Sequence, residues 1–289
     1  MKRLRSGACL LLLALLFVSC SPPAIPTVPE GIMQIYFLDV GQGDCILFRT
    51  SEGDVLVDTG TESSQELLCL RLEQLGVREL ALMVISHPDE DHIGGADGVL
   101  ERFPTREIWT SGAPMENESA RRMVEAAEAG GTPICRVSPK NTFWLGDMHF
   151  WVMAPYGAHI PDDGNEGSII LKAFFHEVSV LLTGDAGVEQ ERELVSFYAK
   201  GHIDCNLYKV GHHGSNTSSS EELLAAMSPQ YAVISCGRGN SYGHPFGEVL
   251  ARLEASGAEV LRTDLLGEIV FETDGKVLWR LSSEEEEMK

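Results

Sequence analysis

Positive charge is scarce in this chain. Lys and Arg number 22 against 43 Asp and Glu in 289 residues, and the net charge is −21. A field of that sign repels nucleic acid at long range, which excludes a surface that grips polyanions broadly. It leaves room for a local cation site that binds phosphate. Long apolar runs are missing too. Ala8 to Val18 is an unbroken apolar run of eleven residues, where a bilayer span needs roughly 20. Beyond Cys20 there are five cysteines, Cys45, Cys69, Cys135, Cys205 and Cys236, and none forms a CxxC or other zinc-type spacing. The count is odd, so at least one stays unpaired within the chain. Cys45 in "CILF" and Cys236 after "AVIS" read as small buried hydrophobes. No internal repeat occurs at a period of 20–50 residues, which excludes solenoids and propellers.

What stands at the start is a targeting pattern. Lys2, Arg3 and Arg5 precede the apolar run, which ends in "FVSC" (17–20). A basic start and a short apolar stretch make a signal peptide. Small Ser19 before Cys20 resembles a bacterial lipobox, in which Cys20 is lipidated and becomes the mature N-terminus. Phe17 departs from the leucine usual at that position. A conventionally cleaved signal peptide and an uncleaved anchor are the alternatives. Removing the three basic residues of the leader from −21 leaves −24. Residues 21–31, "SPPAIPTVPEG", hold four prolines and read as a semi-rigid linker. The expected organisation is a signal peptide over 1–20, a linker over 21–31, one domain over 32–281 and an acidic solvated tail over 282–289. The expected location is outside the cytoplasm, held to the membrane by the lipid.

Strand patterns run through the domain in two blocks, each interleaved with helices. "MQIYFLDV" (33–40), "CILF" (45–48), "DVLVD" (54–58) and "LALMVIS" (80–86) belong to the first, with helices at 63–75, 94–102 and 118–129 and a strand at 134–137. The second holds strands at 148–153, 168–175, 178–185, 205–211, 231–235, 259–263, 267–273 and 276–281, with helices near 188–199, 219–227 and 246–256. Two sheets packed face to face with helices outside is the simplest way to bury such a pattern.

Four polar clusters follow strands: "SHPDEDHIGG" (86–95), "LLTGDAG" (181–187), "KVGHHGSNTS" (209–218) and "GNSYGHP" (239–245). In the first, His87, Asp89, Glu90, Asp91 and His92 crowd like charges that repel unless a cation sits among them. Acids and histidines at several strand ends point to one shared metal site. Taken singly each has an ordinary reading: Asp185 as a helix cap, His212 or His213 as loop histidines. Gly94 and Gly95 read as residues that let the backbone turn at a helix start.

The chain resembles the metallo-β-lactamase fold superfamily, and within it the β-lactamase-like domain of ComEC-type competence proteins. The resemblance rests on "LDVGQGD" (38–44), "LVDTG" (56–60), "SHPDEDHIGG", "NEGSIIL" (165–171), "LLTGD" (181–185), "KVGHHGS" (209–215), "YGHP" (242–245) and "RTD" (262–264), in that order. It implies an α/β four-layer αββα sandwich. It also implies one or two divalent ions, Mn²⁺, Mg²⁺ or Zn²⁺. The superfamily's His-x-His-x-Asp-His motif falls on His87 to His92, with Asp89 in place of the second histidine. By that match His87 and Asp89 serve one site and Asp91 and His92 the other. Asp185 takes the bridging place. His212 or His213 takes that of the last histidine, with His212, nearer the strand end, favoured. Asn165 stands where a histidine precedes the strand leading to the bridging acid. Oxygen donors at Asp89 and Asn165 favour Mn²⁺ or Mg²⁺ over Zn²⁺.

Asp58 is expected to orient a metal ligand, Asp39 and Asp44 to line the rim, and His244 to protonate a leaving group or grip a phosphate. The implied activity is metal-dependent phosphoester hydrolysis, most simply of a phosphodiester, with Asp91, Asp185 and His244 as its catalytic residues. The charge favours a small or cell-wall-derived substrate, with DNA as the other candidate. No protein partner is implied. Lactam or lactone hydrolysis is the alternative within the fold, and a non-catalytic binding lipoprotein the alternative outside it.

Overall fold

The computed structural model describes residues 26–156 and 165–281. The leader, Cys20, the first part of the linker and the acidic tail lie outside the described residues. Two sheets form the centre. In chain order the strands are β1 (Met33–Phe37), β2 (Ile46–Thr50), β3 (Gly53–Val57), β4 (Leu82–Ile85), β5 (Ile108–Thr110), β6 (Ile134–Arg136), β7 (Thr142–Leu145), β8 (Met148–Ala154), β9 (Ile170–Phe175), β10 (Val178–Leu182), β11 (Leu207–Lys209), β12 (Tyr231–Ile234), β13 (Glu259–Arg262), β14 (Ile269–Thr273) and β15 (Leu278–Arg280). The first sheet has the order β15-β14-β1-β2-β3-β4-β5-β6 and the second β13-β12-β11-β10-β9-β8-β7. The pairs β3–β4 and β4–β5 are parallel, as are β10–β11, β11–β12 and β12–β13.

Burial explains the layers. Alternate residues of the two sheets, among them Phe37, Phe48, Phe150, Leu171, Val180 and Phe271, form one core between them. Phe48 and Phe150 meet edge to face at 5.3 Å. The opposite face of the first sheet packs on α1 (Gln65–Leu75), α3 (Ala96–Arg102) and α4 (Glu118–Gly130) through Leu68, Leu72, Val99 and Met123. The opposite face of the second packs on α5 (Val188–Phe197), α6 (Lys200–Ile203), α7 (Glu221–Ala226) and α8 (Gly247–Ala255) through Leu194, Ile203, Leu223 and Val249. The result is the expected αββα sandwich. The remaining short helices are α2 (Glu90–Ile93) and α9 (Thr263–Leu266).

The five cysteines after Cys20 are free, and four of them are buried. Among the described residues no helix is long and apolar enough to cross a membrane.

Candidate metal centre

The parallel strands aim their C-terminal ends at one edge of the sandwich, the usual place for a site in open α/β sheets. Five segments meet there. β3 delivers Asp58, β4 delivers His87 to His92, β10 delivers Asp185, β11 delivers His212 and His213, and the loop after β12 delivers His244.

Local backbone chemistry sets each segment. Asp58 has φ 58, an uncommon value for a residue with a side chain. It is held there by its N–H donating to the Val84 carbonyl at 2.8 Å. Gly94 and Gly95 serve close approach. A Cβ on Gly94 would lie 2.4 Å from the Glu62 nitrogen, and one on Gly95 would lie 2.5 Å from the Thr59 oxygen. The two form the turn before α3, with Gly95 as its N-cap, and they also let the end of α2 (Glu90–Ile93) pass against 59–62. Asn117 caps α4, accepting from the Ala120 N–H at 2.8 Å, and its amide donates to the Pro88 carbonyl.

Asp185 is the centre of the arrangement, and its two oxygens face two different groups. Oδ1 lies 3.2 Å from His92 Nε2 and 3.6 Å from His213 Nε2. Asp91 closes that group, with Oδ2 3.2 Å from His213 Nε2. Oδ2 lies 3.9 Å from His87 Nε2 and 3.6 Å from His212 Nε2. Asp89 closes the second group, with Oδ2 3.7 Å from His87 Nε2. Of the two adjacent histidines it is therefore His213, not the favoured His212, that joins Asp91 and His92. The reason is a turn in which both residues are left-handed, at φ 45 and φ 53. It swings His213 inward, where its Nδ1 meets the Ser235 carbonyl at 2.9 Å. His212 remains at the mouth, on the Asp185 Oδ2 side with His87.

The donors fit divalent ions. His87 Nε2 is buried without a hydrogen-bond partner. His92 Nε2 and His213 Nε2 face each other at 3.3 Å. Buried nitrogens of that kind demand a partner, and a cation between imidazoles and carboxylates supplies one. Asp44, His92, Asp185 and His213 also offer donor atoms lying within 4.8 Å of one another. Asp44 differs from the other three because Lys209 holds its second oxygen at 2.7 Å. Asn165 opens the 3₁₀ turn 165–167 that leads toward β9. Ser168 follows it and accepts the Asp185 N–H at 3.2 Å.

Charge follows the same geometry. Burial alone would raise the Asp185 carboxyl, but the imidazoles of His92, His213 and His87 outweigh it and hold it well below the usual carboxylate range. Burial would lower His92, yet Asp185 and Asp58 raise it well above the ordinary histidine value. His213, buried beside Asp185, Asp44 and Asp91, is pushed up to about 10. A hydrogen bond from His87, opposed by partial burial, lowers Asp89. His244 goes the other way, to about 4, through burial and the neighbouring His213 and His212.

Asp58 stands behind His92. Its Oδ2 is 2.8 Å from His92 Nδ1, and it also accepts from the Ser86 N–H and hydroxyl, each at 2.7 Å. A carboxylate on Nδ1 fixes the ring so that Nε2 keeps its lone pair for a metal. Asp58→Ala is expected to weaken metal binding by about 10- to 100-fold, read by titrating the metal-free protein calorimetrically. Unchanged affinity would show that Asp58 does not set the ring.

Beside the cluster lies a cleft of about 330 Å³ lined by Gln42, Thr61, Asp89, Glu90, Asp91, Asn117 and Tyr242. Tyr242 is 64% exposed and stacks on His244 at 5.7 Å. Sequence reasoning did not single out Ser86, Asn117 or Lys209, which touch the site through partners far away in the chain, or Tyr242, which stacks on His244 two residues on.

The model of the metallo-beta-lactamase superfamily matches residues 38–238. This chain belongs to that superfamily. It is 37% identical to competence protein ComA of Neisseria gonorrhoeae over 93% of its own length and 36% of that protein's. It is 29% identical to ComE operon protein 3 of Bacillus subtilis, over 94% of itself and 36% of that protein. The chain thus spans about a third of the length of these curated relatives. Among solved structures, the metallo-beta-lactamase fold protein YhfI of Bacillus subtilis aligns with a TM-score of 0.53 at 10% identity, covering 86% of this chain and 100% of that one. A diphosphatase of the PhnP family aligns at 0.50 and 15% identity with the same two coverages. These likenesses bear on the fold. The resemblance read from the motifs, to ComEC-type competence proteins within this superfamily, is the one the relatives display.

Proposed function

We propose that this chain is a metal-dependent phosphodiesterase that works as a membrane-anchored lipoprotein. The observation that carries the first part is the Asp185 carboxylate, whose two oxygens face two separate groups of imidazole and carboxylate donors. Paired divalent ions supply electrophilic stabilisation for the two oxygens exchanged at phosphorus and activate water. His92, His213 and Asp91 would hold one ion, His87, Asp89 and His212 the other, and Asp185 both. With two imidazoles in each group, the donor set favours Mn²⁺ or Zn²⁺ over Mg²⁺. This revises the expectation of an oxygen-rich first site, because His212 faces it.

The chain's own residues divide the remaining work. Asp185 would hold both cations and Asp91 one of them, and Asp58 holds the His92 ring. His244 is a neutral imidazole at neutral pH, since its value falls to about 4. A neutral ring is a poor acid but a sound hydrogen-bond donor, so its role is to grip a phosphoryl oxygen rather than to protonate the leaving group. The cleft beside the metal groups carries no basic side chain among its lining residues. A lactam carboxylate would find no counter-charge there, whereas a phosphodiester's charge would be met by ions held in the two donor groups. The net charge of −21 weighs toward a small or cell-wall phosphodiester. The competence-protein relatives weigh toward DNA.

The test is hydrolysis by metal-free protein reloaded with Mn²⁺, Zn²⁺ or Mg²⁺. Bis-p-nitrophenyl phosphate, p-nitrophenyl phosphate and a chromogenic lactam serve as substrates. Turnover of the diester above the other two, with Mn²⁺ or Zn²⁺ ahead of Mg²⁺, is the expected result. Metal-loaded protein that cleaves only the lactam overturns the reading.

For the anchor, the supporting feature is the basic, apolar, Ser19-Cys20 leader. Glu30, Gly31 and Ile32 lie against Glu52, Gly146 and Asp147. Glu52 precedes β3 and Asp58 follows it, so a tether would join the end of the sandwich opposite the metal groups. Cys20→Ala should move the full-length protein from the membrane fraction to the soluble one, or leave it unprocessed. Wild-type protein that is wholly soluble and retains Met1 would remove the anchor.

A further inference from the structure

A buried lysine stands behind the metal donors. Lys209 ends β11 with no exposed surface, and its Nζ lies 2.7 Å from Asp44 Oδ2 and donates to the Val210 carbonyl at 2.8 Å. Asp44 is 1% exposed. Its other oxygen lies 3.3 Å from His213 Nδ1, and no hydrogen bond satisfies it.

A buried ion pair is weak evidence for stability, because desolvating both charges offsets their attraction. An apolar pair of the same volume would fold as well, so the charges at this place call for another reason. The backbone of Asp44 supplies it. Its N–H donates to the Asp91 carbonyl at 3.1 Å and its carbonyl accepts from Gly60 at 2.8 Å. Gly43 makes that approach possible: at φ 141, a Cβ there would sit 2.4 Å from the Asp91 oxygen. Through its main chain Asp44 thus grips the segment that carries Asp91 and His92. Through its side chain it meets Lys209 and His213, which come from the other sheet.

We propose that the Lys209–Asp44 pair is a positioning device for the His92–Asp91–His213 group, fixing the spacing between the ligands contributed by the two sheets. Lys209 cancels the Asp44 charge, so Asp44 can hold the rear of the His213 ring without adding a third net negative charge beside Asp91 and Asp185. Asp44 meets Nδ1 of His213, whereas Asp91, Asp185 and His92 meet Nε2. This makes Asp44 a support rather than a ligand.

The proposal rests on the binding of two ions and on no particular substrate. Its test uses the full chain as wild type, Asp44→Asn, Lys209→Met and the double variant. Each is stripped with a chelator and titrated with Zn²⁺ by calorimetry, and thermal unfolding of the metal-free forms is followed in parallel. Asp44→Asn and Lys209→Met should each weaken the ion of the His92–Asp91–His213 group by about 10- to 100-fold and leave that of the His87–Asp89–His212 group unchanged. The double variant should regain the metal-free melting temperature, because no unpaired buried charge remains, without regaining affinity at the His92–Asp91–His213 group. If a single variant does not fold, the double variant carries the test alone.

Wild-type affinities in Asp44→Asn, or affinity recovered in the double variant, overturn the proposal. So does a changed coordination signature for the ion of the His92–Asp91–His213 group in the Co²⁺-substituted Asp44→Asn spectrum, which would make Asp44 a ligand. Wild-type protein that takes up no second ion defeats the two-ion reading itself, an outcome distinct from these.

Discussion

Replacing Asp185 with Asn is expected to lower bis-p-nitrophenyl phosphate hydrolysis by at least about 10²-fold, the order lost with one preorganised electrostatic contact. The substitution keeps the side chain's shape but replaces a carboxylate oxygen by an NH₂ group that cannot hold a cation. The buried carboxylate now lies 3.2 Å from His92 Nε2 and 3.6 Å from His212 Nε2 through different oxygens, so one change disturbs both groups. The Asp185 N–H bond to the Ser168 hydroxyl does not depend on the side chain, and the far-ultraviolet circular dichroism should stay as in wild type. His92→Ala should lose a comparable factor. The pair of changes should be far from additive, because both serve one centre. Activity within a few-fold of wild type in Asp185→Asn would remove Asp185 from the bridging place.

Metal affinity should climb with pH, by at least about tenfold per unit between pH 6 and 8. In the metal-free protein His213 is raised to about 10, so it is protonated in this window, and Asp185 and Asp58 push His92 in the same direction against burial. A protonated ring must release its proton before its Nε2 can ligate, and each proton displaced contributes tenfold per pH unit. The sign for folding is the reverse. A raised folded value means that the imidazolium–carboxylate contacts stabilise the metal-free protein fully below the ordinary histidine value. For His213 that contribution is lost as pH rises through about 10. Chelator competition at several pH values, with proton release read from calorimetry in buffers of different ionisation heat, gives the slope. A slope near zero would mean that neither ring carries a proton when the ion arrives.

Local pattern made the first-sheet histidine motif legible. His87, Asp89, Asp91 and His92 lie within six residues, and strand and turn chemistry place them together. The supporting contacts join distant parts of the chain. Asp58 meets His92 across 34 residues, and Lys209 meets Asp44 from the other sheet. No spacing announces either pair. The choice between His212 and His213 depends on a left-handed backbone at both, which their residue types do not reveal. Among the strands, β5 and β7 escaped. β5 is only three residues long. "TFWL" in β7 lies at the sheet edge with every residue intermediate or exposed, so burial never selected a clean alternation.

The metal groups draw on both halves of the sandwich. His87 and His92 follow β4 of the first sheet, while Asp185 and His213 follow β10 and β11 of the second. Neither sheet on its own can assemble a complete set of donors. Ions bound there would act as rivets across the seam between the halves, and their binding energy would enter the cohesion of the whole domain. A chelator, on this account, is also a denaturant of modest strength. Resistance to heat and to proteolysis near the seam then follows the concentration of free metal in the surrounding fluid.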